Sequence, residues 1–149
     1  GWMANHMGPS PAALDAMRRA VDAEHVGPYS PDLDAGLRDL MAEALLGRPR
    51  DEGFEVIGTE GAQAGVGYAA LACLDPGDRV VVTDPGYFHF VPALRLAGAE
   101  PDWVRLGPGN GWRLDPEEVE AALTPRTRMV VVCDPVNPFG TVQRRDELG

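Results

Sequence analysis

Three short segments carry the residue types best suited to chemistry in this chain: Thr59-Glu60-Gly61-Ala62-Gln63, Asp84-Pro85-Gly86-Tyr87 and Asp134-Pro135-Val136-Asn137-Pro138-Phe139-Gly140. In the first, Gly61 and Ala62 leave backbone N–H groups uncovered where a helical stretch begins. That arrangement suits an anion such as a phosphate ester, and Gln63 could add a side-chain donor. In the second, Tyr87 could lie flat against a planar ring. In the third, Asn137 could donate a hydrogen bond to a phenolate-type oxygen, with Pro138 fixing the turn behind it. Each segment alone has an ordinary structural explanation: a small-residue turn for close helix–sheet packing, a tyrosine at the edge of a core, an Asn-Pro turn.

The elements around these segments give them a common place. Leu14, Met17 and Val21 recur at helical spacing behind Ser10-Pro11, so Ser10 to Glu24 reads as a helix with an apolar face. Leu33 to Leu46 reads as a second helix. Phe54 to Gly58 then reads as a short strand, and Gly61 to Leu74 as a helix of small residues. After the turn Asp75 to Asp78, Arg79 to Thr83 is a strand apolar on both faces, as in a buried parallel sheet. Tyr87 to Ala97 is helical and Pro101 to Leu106 a weaker strand. Asp115 caps a helix with Pro116 first and Glu117 and Glu118 in its opening turn. Met129 to Cys133 is a further strand read as buried on both faces. Alternating strands and helices predict an α/β fold with a mostly parallel sheet, flanking helices and right-handed crossovers. Ligands of such sheets bind at the carboxyl ends of the strands, where all three segments fall.

A phosphate cup, a stacking aromatic and a hydrogen-bond donor at successive strand ends describe a pocket for pyridoxal phosphate. The order and spacing resemble the fold-type I aminotransferases, class I/II, of the aspartate aminotransferase superfamily. That family's pattern runs T-x-G-A-x, L-x-P-G-D-x-V, P-x-[YW] and N-P-x-G; here it stands as TEGAQ, LDPGD-RV, PGY and NPFG. The resemblance implies a partial pyridoxal-phosphate-binding large domain over 33–149, preceded by an N-terminal arm and helix over 1–32. It implies that Gly61, Ala62 and Gln63 cradle the cofactor phosphate, that Tyr87 stacks on the pyridine ring, and that Asn137 bonds the ring hydroxyl oxygen. Tyr29 resembles the tyrosine that reaches the neighbouring subunit's phosphate across a dimer. Phe139 departs from the family's usual threonine.

The resemblance also locates what these residues do not supply. An aspartate for the ring nitrogen, the Schiff-base lysine and a substrate-binding arginine would all lie beyond the N-P-x-G motif. All 13 basic residues are arginine, so no side chain here can form a Schiff base. The chain is therefore expected to be the N-terminal half of an amino-acid aminotransferase, inactive alone, and to self-associate or pair with a missing C-terminal half because its sheet would have an uncovered edge. Two other readings stay open: a catalytically inactive binding or dimerisation module, and a small α/β protein holding another phosphorylated ligand. The substrate is expected to be a small amino or keto acid.

Charge and composition narrow the remaining classes. A balance of 13 basic to 23 acidic residues, net −10, argues against nucleic acid and anionic membrane as partners. No apolar run reaches the ~18 residues of a membrane span, and a cytoplasmic protein is expected. Cys73 and Cys133 lie in apolar runs and are expected to be reduced core residues. His6, His25 and His89 form no ligand set, so no metal is expected. Glu60 is awkward beside a phosphate cup, since a carboxylate there repels an anion unless it turns away.

Overall fold

The computed structural model describes residues 6–22, 35–50 and 53–144. The chain divides into two compact units, Gly1–Gly58 and Thr59–Gly149. In the first, α1 (Pro11–Asp22) and α2 (Ala35–Leu46) form where the periodicity predicts them. Around Arg50 the unit is tied by charge: its guanidinium reaches Asp39 and Glu55, both at 2.6 Å.

Phe54 to Gly58 is not a strand; Phe54 makes a single isolated bridge. A strand exists through its ladder, and the sheet of the described residues contains three other segments. Glu55 moreover accepts a hydrogen bond from the Val56 N–H at 2.9 Å, which diverts a donor that a ladder would use.

The second unit is the α/β part. In order it contains α3 (Ala62–Cys73), β1 (Arg79–Asp84), α4 (Phe90–Leu96), β2 (Glu100–Arg105), a 3₁₀ turn at Pro108–Asn110, α5 (Pro116–Ala122) and β3 (Thr127–Val131). The sheet is parallel in the order β2-β1-β3. Because β1 is central, its connections must diverge: the chain leaves β1 towards β2 through α4, then returns past β1 to β3 through α5. Right-handed crossovers in opposite directions put their helices on opposite faces. The core agrees. Val80 and Val82 pack with Ala70 of α3 and Leu94 of α4, whereas Val81 packs with Val104, Leu106 and Leu114, and Val119 and Ala122 of α5 lie against that cluster.

Val80, Val81 and Val82 are 0, 1 and 4% exposed, so this strand is covered on both faces as its sequence predicts. Each such valine contributes about 1.5–3 kcal/mol relative to an exposed one. β3 does not follow the same reading. It ends at Val131, and Val130 and Val132 are 45% and 38% exposed. Met129 and Val131 pack against the α3–α4 cluster, but β3 is an edge strand whose other face no described helix covers. Cys73 is exposed as well, lying off the Ala70–Leu74 stripe of α3 that meets the sheet; Cys133 is half-buried.

One local detail holds as predicted and a second was not expected from the sequence. Asp115 caps α5, its Oδ1 accepting from the Glu117 N–H at 3.0 Å. On the α5 side of the sheet, Arg79 of β1 forms an ion pair with Asp102 of β2, its Nε donating at 2.9 Å. The Arg79 guanidinium holds the Asp102 carboxyl below its ordinary range. A carboxylate with a depressed folded pKa stabilises the fold above its unfolded pKa of about 4, and that stability is lost as pH falls through the folded value. The melting temperature is therefore expected to decline on acidification below about pH 4. Asp102→Asn should flatten part of that decline while lowering the neutral-pH value; parallel acid limbs in scanning calorimetry would contradict it.

Candidate active site

The site builds from the carboxyl ends of β1 and β3 and the start of α3. Gly61 sits at the N-terminal boundary of α3 with φ 92° and ψ 168°, a region essentially restricted to glycine, and no side chain caps the helix. The first helical bond runs from the Gly65 N–H to the Gly61 carbonyl at 3.2 Å. The N–H groups of Ala62, Gln63 and Ala64 precede it and have no acceptor within the helix. Thr59 shapes the approach: its carbonyl accepts from the Gly61 N–H at 2.8 Å and its hydroxyl donates to the Gly61 carbonyl at 3.0 Å. A β-carbon on Gly61 would meet nothing within 4 Å, so the chain is uncrowded beside Gly61 itself.

Glu60 does turn away. Its carboxylate accepts from the Tyr68 hydroxyl at 3.0 Å. Its own backbone N–H, and then Tyr68, hold its pKa below the ordinary carboxylate range, while the Tyr68 phenol is pushed up. The charge is thus committed to the flank of α3. Gln63 is exposed in a shallow groove with Glu60 and Ala64, facing Pro92, Ala93 and Leu96 of α4.

Tyr87 follows β1 through a turn that only glycine permits. A β-carbon on Gly86 would lie 2.5 Å from the Thr83 carbonyl oxygen and 2.6 Å from its hydroxyl. The tyrosine is half-buried, braced edge-on by Phe90 at 5.0 Å between ring centres and by a tilted His89 ring at 5.1 Å. It lines a cavity of about 130 Å³ with Thr83, Asp84, Phe88, Trp103 and Cys133. Asn137 lies outside this cavity, exposed in the loop after β3. Gly61, Ala62 and Gln63 do not line it either. The structure therefore sets the three motifs at strand and helix ends of one unit without closing them into one pocket. Tyr29 lies outside the described residues.

The residues anchoring the Asn137 loop have no counterpart among the sequence expectations. Val136 is 3% exposed; its N–H bonds the Thr141 carbonyl at 2.8 Å, and its carbonyl accepts from the Gly140 N–H at 2.7 Å. Phe139 stacks on Trp112, centroids 4.1 Å apart and planes 8° from parallel. Gln143, 7% exposed, accepts from the Leu114 N–H at 2.9 Å, and its own N–H donates to Asp134 at 2.9 Å. These pairs span up to 29 residues, beyond the reach of local pattern.

Comparison with known proteins decides the family. The model of the aminotransferases of class I and II matches residues 3–149. The chain belongs to the class I and II aminotransferases. A probable N-succinyldiaminopimelate aminotransferase of Mycobacterium tuberculosis is 34% identical over 138 residues, spanning 92% of this chain and 34% of that protein. An aspartate aminotransferase of Geobacillus stearothermophilus is 32% identical, spanning 91% of this chain and 35% of its own length. Among solved structures, the Mycobacterium tuberculosis N-succinyldiaminopimelate aminotransferase superposes with TM-score 0.83 at 34% identity, over 95% of this chain and 38% of that one. A mutant aspartate aminotransferase of Thermus thermophilus gives 0.82 at 33% identity, over 93% and 39%.

This aminotransferase chain thus spans about a third of the length of the curated relatives it matches. Its α/β fold, parallel sheet and flanking helices are those of its structural neighbours. Among the described residues no helix is long and apolar enough to cross a membrane, and no group of side chains could hold a metal ion.

Proposed function

We propose that this chain supplies the non-covalent half of a pyridoxal-phosphate pocket in an aminotransferase acting on an amino acid and a keto acid. The observation that carries the reading is the uncapped start of α3 behind Gly61, in a chain of this family. Three N–H groups left without a helical acceptor or a side-chain cap fit a phosphate ester, and the carboxylate that would oppose an anion is turned onto Tyr68. The phosphate part of the cofactor therefore fits the residues present; a covalent anchor does not, since the 149 residues include no lysine.

When bound, pyridoxal phosphate supplies an electron sink for bonds at the α-carbon of an amino acid. The chain's own residues bind and orient. Ala62, Gln63 and Ala64 donate backbone N–H groups to the phosphate, aided by the helix dipole. Tyr87, held by Gly86 and braced by Phe90, offers its ring face to the pyridine. The Asn137 amide donates to the ring oxygen and so favours its deprotonated form. The anchoring lysine has to come from residues outside these 149, and the family resemblance puts the ring-nitrogen acid and the substrate arginine beyond the N-P-x-G motif with it. The open face of β3, with Val130 and Val132 exposed, supports pairing with such a segment or with a second copy.

Titration of the chain with pyridoxal phosphate tests this. Saturable binding is expected with the absorbance of a free aldehyde. Borohydride should then leave no stable mass increment on any side chain, and no transamination should occur. Absence of saturable binding, or a reduced adduct on a side chain, would contradict the reading.

A further inference from the structure

We propose that Phe139 and Trp112 form the clamp that positions Asn137, making both aromatics positioning residues of the cofactor pocket; this rests on the function proposed above. The loop carrying Asn137 is a tight turn closed at its base by the two Val136 hydrogen bonds, to Thr141 and Gly140. On the upstream side of Asn137 the chain is fixed by Val136, which is buried. On the downstream side Pro138 leads to Phe139, whose ring lies parallel on Trp112 at 4.1 Å. Asn137 is itself exposed, so its neighbours determine where the amide stands.

Trp112 is shaped for this contact. It is the one non-glycine residue with positive φ among the described residues, at 64°. A bulky side chain in that region costs on the order of 1 kcal/mol and persists only where surroundings hold it. Here its N–H is bonded to the Gly107 carbonyl at 2.8 Å and its ring to Phe139. The same two loops are joined again by the Thr141 hydroxyl donating to the Gly111 carbonyl at 3.2 Å, and by Arg113 donating to the Val142 carbonyl. The stack is the contact nearest Asn137 in this seam. An offset or parallel aromatic pair contributes enough beyond its buried area to bias one loop conformation over its alternatives.

The test compares pyridoxal phosphate with 3-deoxypyridoxal phosphate, which lacks the ring oxygen, on the whole chain and its variants. Phe139→Ala should weaken pyridoxal phosphate binding about threefold to tenfold, and Phe139→Tyr, which keeps the stack, should restore it to within about twofold. In an Asn137→Ala background Phe139→Ala should cost nothing further. The deoxy analogue should bind the original chain and Phe139→Ala alike. Equal weakening of both ligands, or additive losses in the double variant, would make Phe139 merely structural and overturn the proposal. If the unsubstituted chain binds neither ligand, the proposed function falls and this inference with it; if it binds both and Phe139→Ala changes nothing, this inference alone falls.

Discussion

Leu94→Ala is expected to lower the urea midpoint by the equivalent of about 2–5 kcal/mol with the slope of the transition unchanged. Leu94 is 0% exposed and is the largest side chain buried to that degree among the described residues. It stands where α4 meets the sheet, in one cluster with Ala70 of α3 and Val80 and Val82 of β1. Several of its neighbours are too small to fill the space it would leave, although Leu74 and Met129 belong to or pack on the same cluster. Ala70 and Ala97 have no side chain to swing inward, and valines on a strand have few rotamers to use. How much of the cavity remains depends on how far Leu74 and Met129 move in, and that sets where in the range the loss falls. For a domain whose whole stability is about 5–15 kcal/mol, this approaches loss of the fold. The same substitution bears on the site, because Val82, Phe90 and Val91 line the cavity under Tyr87. A drop below about 1 kcal/mol would mean that α4 does not pack on β1 as described.

The weight on Leu94 could not be read from the sequence, although the helix that carries it could. Arg79 to Thr83 announced a strand buried on both faces because every side chain from Val80 to Val82 is apolar, and all three are buried. Asp115-Pro116-Glu117-Glu118 announced its helix because a cap is a contact within one turn. The placement of the site motifs was legible for the same reason, since each is short and sits at the end of a strand or helix, whereas the single pocket expected of them is not closed in the structure. Met129 to Cys133 has the same apolar look as the first strand yet is half open. Burial of a strand face depends on what is laid against it, and that is a property of other segments. Phe54 to Gly58 failed for a related cause, since a strand requires a neighbour. The Trp112–Phe139 stack joins residues 27 positions apart; its one trace in the sequence was a phenylalanine where the family pattern has threonine.

Gly61→Ala is expected to weaken pyridoxal phosphate binding about tenfold or more, because charge-assisted hydrogen bonds contribute about 1.5–3 kcal/mol each. The argument separates space from conformation. A β-carbon at Gly61 would touch nothing within 4 Å, so no clash is created. The backbone, at φ 92° and ψ 168°, lies where an L-residue is held only at a cost of about 1–3 kcal/mol. Alanine relieves that cost by rotating the peptide that joins it to Ala62, and this peptide carries the first of the amides aimed at the phosphate. Gly107→Ala is the matched control: it too has nothing within 4 Å of a new β-carbon, but its φ of −138° is ordinary for alanine. Binding measured by absorbance titration should fall for Gly61→Ala and hold for Gly107→Ala, with both variants melting cooperatively. Equal affinities for the two would remove the start of α3 as the phosphate site. A loss confined to melting temperature would leave Gly61 a structural glycine, its conformation serving the close passage of Thr59 rather than an anion.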